Sequence, residues 1–372
     1  HFAHHVTNSL LTPLLPLIRD AFLLSYTEAG LLVSAYGISL GGSNMPMGAL
    51  ADRIGSKPVI VAGLFGTALL SLAMATAGAY WQLLTLLVLL GLVAGTYHAP
   101  AAALLARVFP EHVRGAALGL HITGGHLSLF ITPAVVGVLV AATGTWRTSY
   151  LWLALAPLIT AGLMWRLRVP SHVSHTSKLE HIGIVRALLD VMRSVGPVGL
   201  LSIVFQTLYA AILAFMALYL VDGRGIPPAQ AAVFVGVPQI IGVLGSPIGG
   251  YLSDRLGRRT VILTGMVLVG PALYALTVVP VEFLPLALLG IGLASALRQT
   301  VTEVLVMDSA PPQRRAIVMG SYYMLFQQLG GIAAPLLGVL AGLIGIGASF
   351  SAITLFLALA SGTVLLLHRR LL

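Results

Sequence analysis

Cysteine is absent from the 372 residues, which excludes disulfides, thiolate metal sites and cysteine nucleophiles. Charge is scarce as well. Asp, Glu, Lys and Arg make up 8% of the chain, against 58% hydrophobic residues and a mean hydropathy of +0.98. Soluble domains carry roughly a quarter charged residues. A water-facing surface cannot be built from this composition, and lipid is the solvent that tolerates it. No G-x-x-x-x-G-K-[ST] loop is present, so ATP is not the direct driver of whatever the chain does, and H-E-x-x-H is missing too. The net charge of +9 is distributed in a way that points to membrane orientation and not to nucleic acid. No cleavable signal peptide is visible. His1 already lies in an apolar stretch, so a short leader is expected ahead of it.

What is abundant is long apolar runs. A span needs roughly 20 mostly apolar residues. Charged and Pro/Gly breaks divide the chain into twelve such segments, near 3–23, 28–50, 57–79, 82–107, 114–142, 147–167, 196–221, 229–252, 260–280, 283–308, 315–343 and 347–367. The expected fold is therefore all-α and membrane-embedded, with a bundle over 1–167, a polar linker over 168–195 and a second bundle over 196–372. Of the 20 Lys and Arg, 16 fall in one alternate set of loops; Arg19, Arg147 and Arg224 fall in the other set, and Arg298 lies within a span. Positive charge stays inside, so the loops near 52–57, 108–113, 168–193, 254–259 and 310–315 and both termini are expected to be cytoplasmic, in a multi-pass protein of the cell's inner (plasma) membrane.

The two halves repeat each other. Gly48-Ala-Leu-Ala-Asp52-Arg53-Ile-Gly55-Ser-Lys57 matches Gly250-Tyr-Leu-Ser-Asp254-Arg255-Leu-Gly257-Arg-Arg259 at an offset of 202, as does Pro133 with Pro335. Arg114 and Gly119 match Arg315 and Gly320 at 201.

The G-x-L-A-D-R-x-G-x-K loop between spans two and three, echoed between eight and nine, resembles the signature of the major facilitator superfamily. That resemblance covers essentially the whole chain. It implies two pseudo-symmetric six-helix bundles around a central cavity that opens alternately to each side, and a monomer. It also implies that Asp52 meets the start of the eleventh helix, latching the halves together, with Gly48, Arg53, Gly55 and Arg114 in the same device and Asp254, Arg255 and Gly257 as its symmetric copy. A narrower resemblance, to fosmidomycin-resistance-type exporters, rests on Tyr97-His98-Ala-Pro100-Ala, Arg114-Gly115-Ala-Ala-Leu-Gly119-Leu-His121, Gly124-Gly125, Thr132-Pro133 and Pro13-Leu-Leu-Pro16. The chain departs from drug–proton exporters at Leu87, where many have arginine, and from many relatives at His4-His5, where they carry Asn-Asp.

Ionisable groups at bilayer depth cost at least ~2.5 kcal/mol each. Arg298 sits close to the midplane of span ten, on one face with Ser295 and Thr302 by i, i+3, i+7 spacing. A lone arginine there binds an anionic group or pairs with a structural carboxylate. Gln299 and Glu303 form an i, i+4 pair nearer the loop; Glu303 either shuttles protons or joins helices. In the repeat register Tyr97 and His98 are the counterparts of Arg298 and Gln299. His1, His5, Asn8 and Thr12 make a polar stripe on span one; His121 and Ser128 make one on span five, which also holds His126. For these imidazoles three readings stand: proton carrier, metal ligand, or neutral core group. Metal would need three or four to converge, no spacing demands it, and no metal or cofactor is expected. In the second half Ser202, Gln206 and Tyr209 share a face of span seven, and Gln327 lies in span eleven.

The leading reading is a secondary active transporter, exporting a small anionic or zwitterionic compound in exchange for protons. An uptake carrier or uniporter of the same fold is the alternative. A histidine-ligated membrane haem enzyme and a non-transporting receptor are remote ones, and no enzyme activity is expected.

Overall fold

Proline and glycine decide where the helices of this chain start, stop and break. The computed structural model describes the backbone of residues 1–169, 184–309 and 315–371. It describes the side chains there except at 106, 111, 114–116, 118, 184–197, 244, 246, 247, 309, 315–321, 323, 326, 327 and 367–371. The helices are α1 (Phe2–Asn8), α2 (Leu11–Phe22), α3 (Tyr26–Ile54), α4 (Ser56–Thr76), α5 (Tyr80–Ala94), α6 (His98–Val108), α7 (Glu111–Thr143), α8 (Arg147–Leu153), α9 (Leu155–Arg166), α10 (Ile184–Leu218), α11 (Pro228–Leu256), α12 (Arg258–Val278), α13 (Leu284–Ser309), α14 (Arg315–Ile344) and α15 (Ile346–Leu371). There is no strand among the described residues. Taken with α1–α2, α5–α6 and α8–α9 as two-piece rods, they form twelve rods, six to each bundle. Among the described residues, eight helices are long and apolar enough to cross a membrane, and the bent α11 makes a ninth.

The repeat is visible in the backbone. α3 and α11 have 29 residues each, and α4 and α12 have 21 each. The glycines between them share one conformation: Gly55 has φ 95° and ψ 148°, Gly257 φ 89° and ψ 144°. A side chain is disfavoured at that φ, so the signature loop needs glycine at both places. Where the halves differ, proline is the cause. Pro13 and Pro100 each sit in the first turn of a helix, α2 and α6, and in an unbroken helix each ring would strike the carbonyl four residues back. Those carbonyls belong to Ser9 and Thr96, and the chain breaks at Ser9–Leu10 and at residues 95–97. The counterparts, Phe215 in α10 and Val301 in α13, lack the ring, and those helices run through.

One boundary differs from expectation. α10 begins at Ile184, inside the stretch 168–195 expected as linker. From Arg186 to Val195 there is neither Pro nor Gly, and Ala, Leu, Met and Arg there favour helix. The rest of that linker, 170–183, lies outside the described residues.

The bundles meet along α3 against α14 and α7 against α11, with α2 on α10 and α11. Their contact is tight at one end only. A Cβ added to Gly338 would lie 2.4 Å from the Tyr26 carbonyl oxygen, and one on Gly137 would lie 2.6 Å from that of Ala229. Fully buried Leu14, Leu15 and Ile18 of α2 belong to one core with Ile212, Phe215 and Met216 of α10. Toward the other end, which carries both signature loops, a Cβ on Gly119 of α7 or Gly250 of α11 would meet nothing within 4 Å. The two bundles are thus closed against each other at the end away from the signature loops.

Candidate functional site

Two polar centres face each other in sequence register, one in each half. The second-half centre is built from α10 and α13. Arg298, 1% exposed, donates through Nη1 to the Ser202 carbonyl (3.0 Å) and to its hydroxyl (3.2 Å), and through Nη2 to Gln206 Oε1. Thr302 Oγ1 donates to the Arg298 carbonyl (2.7 Å) and lies 2.8 Å from Ser202 Oγ. Buried Tyr209 shares a hydrogen bond with Ser295. The two faces read from spacing on spans seven and ten are therefore one network. Its acceptors are neutral, and the ion pairs among the described residues do not include Arg298. The Arg298 Nε is buried and has no hydrogen-bond partner there. Gln299 and Glu303 are half-buried toward the signature-loop end of α13, with Glu303 near Tyr322. Gln327 lies outside the described side chains.

The first-half centre is made of rings. Ring contacts set α1 against Tyr97, in the break at 95–97, and His98, the first residue of α6. His4 stacks on Tyr97 (centroids 4.4 Å apart, 12° between planes) and His1 stacks on His121 (4.2 Å, 11°). His1 Nδ1 lies 2.7 Å from the His121 carbonyl oxygen, and His1 Nε2 lies 3.0 Å from His5 Nε2. His98 meets His1, His4 and His5 with centroids 5.4, 4.9 and 5.4 Å away. His4 and Tyr97 are buried, His1, His5 and His121 half-buried, and His98 exposed. Gly125 makes room for the His1 ring, whose Cε1 would be 2.7 Å from a Cβ there. One ring nitrogen from each of His1, His5 and His98 lies within 4.8 Å of the other two. The His1–His5 pair follows from i, i+4 spacing, but the approach of His98 is long-range and left no trace in residue spacing. His126 is elsewhere: its ring faces Gly242 across the α7–α11 seam, and its buried Nδ1 has no partner among the described residues.

The signature loops brace their own bundles. Lys57 donates to the Trp165 and Leu167 carbonyls (2.9 and 2.6 Å), capping the end of α9. Asp254 accepts from Arg258 (2.5 Å), which also reaches Asp308 (3.3 Å); Arg255 lies over the Tyr251 ring. Gly48 faces Ala99 of α6. Asp52 is half-buried and Arg53 exposed. The ion pair that Asp254 makes among the described residues lies within its own half. Arg114 lies outside the described side chains. Among the contacts that join the halves is an ion pair at the closed end, where Arg19 of α2 pairs with Asp222 and Tyr26 Oη donates to Asp222 Oδ2 (2.8 Å). Sequence reading passed over it, although Arg19 and Asp222 stand 203 apart, one residue from the repeat offset.

A polar centre inside each of two bundles of like topology, packed tightly together at one end, is the architecture of a membrane carrier. The profile of the Major Facilitator Superfamily matches residues 1–335 and again 198–371, and the chain belongs to that family. It is a multi-pass membrane transporter and not an enzyme. It is 26% identical over 267 residues to the hexuronate transporter of Bacillus subtilis (strain 168), covering 69% of this chain and 63% of that protein. It is 28% identical over 347 residues to the multidrug resistance protein MdtG of Enterobacter lignolyticus (strain SCF1), covering 89% and 81%. Among solved structures, it resembles a bacterial homologue of the human lysosomal transporter Spinster in an inward-facing, unoccupied conformation (TM-score 0.82, 15% identity, 99% and 94% covered). The nucleoside transporter NupG gives 0.80 at 15% identity, with 98% and 97% covered.

Proposed function

We propose that this protein is a secondary active exporter of a small anionic or zwitterionic organic compound, driven by protons. The observation that carries the reading is Arg298. A guanidinium buried at mid-span is costly, and here it is solvated by an amide oxygen, a hydroxyl and a carbonyl, with Nε left over. A carboxylate or phosphonate oxygen entering beside α10 replaces Gln206 Oε1 and forms a charge-assisted fork, which a neutral amide cannot match. The proton is carried by one of the groups able to titrate inside the bundles: the imidazoles of His5, His98, His121 or His126, or the Glu303 carboxyl. The narrower likeness to fosmidomycin-resistance-type exporters and the similarity to a multidrug resistance protein support export. The positive-inside pattern puts the signature loops and both ends of the chain in the cytoplasm of a cell whose inner membrane holds the protein as a monomer. The closed end is then the one away from the cytoplasm.

A second reading, an uptake carrier for an organic acid, is favoured by the similarity to a hexuronate transporter. Both readings use the same arginine. Counterflow of a radiolabelled hexuronate or a phosphonate antibiotic in proteoliposomes separates them from a carrier of neutral compounds. Arg298→Ala is expected to abolish counterflow while the protein still reaches the membrane, and Arg298→Lys, which keeps charge but loses the planar fork, to weaken it at least about tenfold. Wild-type counterflow in the alanine variant overturns the anion reading.

A further inference from the structure

We propose that His1, His5 and His98 form a binding site for a divalent first-row transition-metal ion, with one coordination position left open to an anionic oxygen. Nothing in the anion reading of Arg298 is needed for it.

Three features converge. The first is distance. Two nitrogens held by one ion at about 2.0–2.1 Å stand about 3.0–3.4 Å apart in octahedral or tetrahedral geometry. His1 Nε2 and His5 Nε2 are already 3.0 Å apart, and all three ligating nitrogens lie within 4.8 Å of one another. The remaining closure falls to His98, the most exposed of the three.

The second is the tautomer. The partner of His1 Nδ1 is a carbonyl oxygen, that of His121 at 2.7 Å, which can only accept. His1 Nδ1 therefore carries the hydrogen, and in the neutral ring Nε2 presents its lone pair to His5. A ligating imidazole fixed through its other nitrogen by a carbonyl is the usual second layer of a metal site. The His121 ring stacked on His1 and the Tyr97 ring on His4 hold α1 in place against α6 and α7.

The third is ligand chemistry. Three imidazoles suit zinc, cobalt, nickel or copper, and do not suit magnesium or calcium, which need oxygen. The rings contribute no negative charge, and no carboxylate pairs with them among the described residues. The ion would keep its full double charge at bilayer depth, so the open position takes an anion. That anion is a carboxylate of a transported compound or hydroxide.

Cobalt(II) is the probe. The tag-free full-length protein in detergent should bind one Co²⁺ per chain, with the visible d–d absorption of an imidazole-ligated ion. His5→Gln and His98→Gln should each weaken binding at least about tenfold, and His112→Gln, on an exposed part of α7 away from the cluster, should leave it unchanged. A thermal melt of each variant confirms folding; should His5→Gln not fold, His98→Gln, at the exposed position, carries the test. No saturable Co²⁺ binding by folded wild-type protein overturns the proposal. So does equal affinity in wild type and His98→Gln. The readout is ion binding, so its failure and that of the anion reading are distinguished: only the latter shows in counterflow.

Discussion

Leu23 ends α2 in the left-handed region, with φ 53° and ψ 42°, and its side chain is 91% exposed. A residue with a Cβ pays roughly 1–2 kcal/mol for that conformation, and glycine at such a position avoids it while losing about 0.5–1 kcal/mol through its freer unfolded chain. Leu23→Gly is therefore expected to leave stability unchanged or raise it by up to about 1 kcal/mol, seen as an equal or higher melting temperature in detergent. A clear fall would mean that the Leu23 side chain contributes through lipid. At this scale the candidate site was legible in part. Helical spacing placed Ser295, Arg298 and Thr302 on one face and Ser202, Gln206 and Tyr209 on another, and the network joins them. It put His1 and His5 on one stripe of span one but did not bring His98 to them, because the break between α5 and α6 and the approach of α1 are encoded by no local period.

At the scale of elements, the long apolar runs, the repeat and the loop glycines were all written in residue pattern, and the helices follow them. Length and apolarity come from the bilayer and survive any tertiary detail. The breaks were not read. Pro13 and Pro100 look like ordinary membrane prolines until the carbonyl four residues back is located in the turn ahead of each helix. Pro100→Ala removes the ring that strikes the Thr96 carbonyl, so α5 and α6 are expected to fuse. Amide exchange at residues 95–100 should slow, and the His98 ring should leave His1 and His5. Unchanged exchange there would assign the break to tertiary packing.

For the whole molecule, pattern reading supplied the two bundles and their register but not which end is closed, since both conformers of a carrier share one sequence. The closed end is held by helix crossings at small residues and by the Arg19–Asp222–Tyr26 contact. Arg19 and Asp222 side chains are 16% and 17% exposed, so replacing Asp222 takes from Arg19 its partner across the seam and leaves it Asp20 of its own helix. Asp222→Asn is expected to shift the equilibrium toward the conformer open at that end by about 1–3 kcal/mol, or roughly 5–150-fold. Because the chain has no cysteine, a single cysteine introduced at Gly119, toward the signature-loop end and with open space beside it, reports the shift as slower labelling without background. Labelling at the wild-type rate would show that helix crossings alone close the end.

The two halves also differ as mechanical parts. Spans one and four of the first half are jointed at Ser9–Leu10 and at residues 95–97, while their counterparts α10 and α13 run unbroken through the same depth. A jointed rod yields at its joint for little energy, and an intact helix resists bending along its whole length. α10 and α13 therefore move as unbroken rods with Arg298 held between them, whereas spans one and four are interrupted beside the histidine rings. A ligand held by those rings would sit where its helices can yield, and one held by Arg298 would sit on continuous helix.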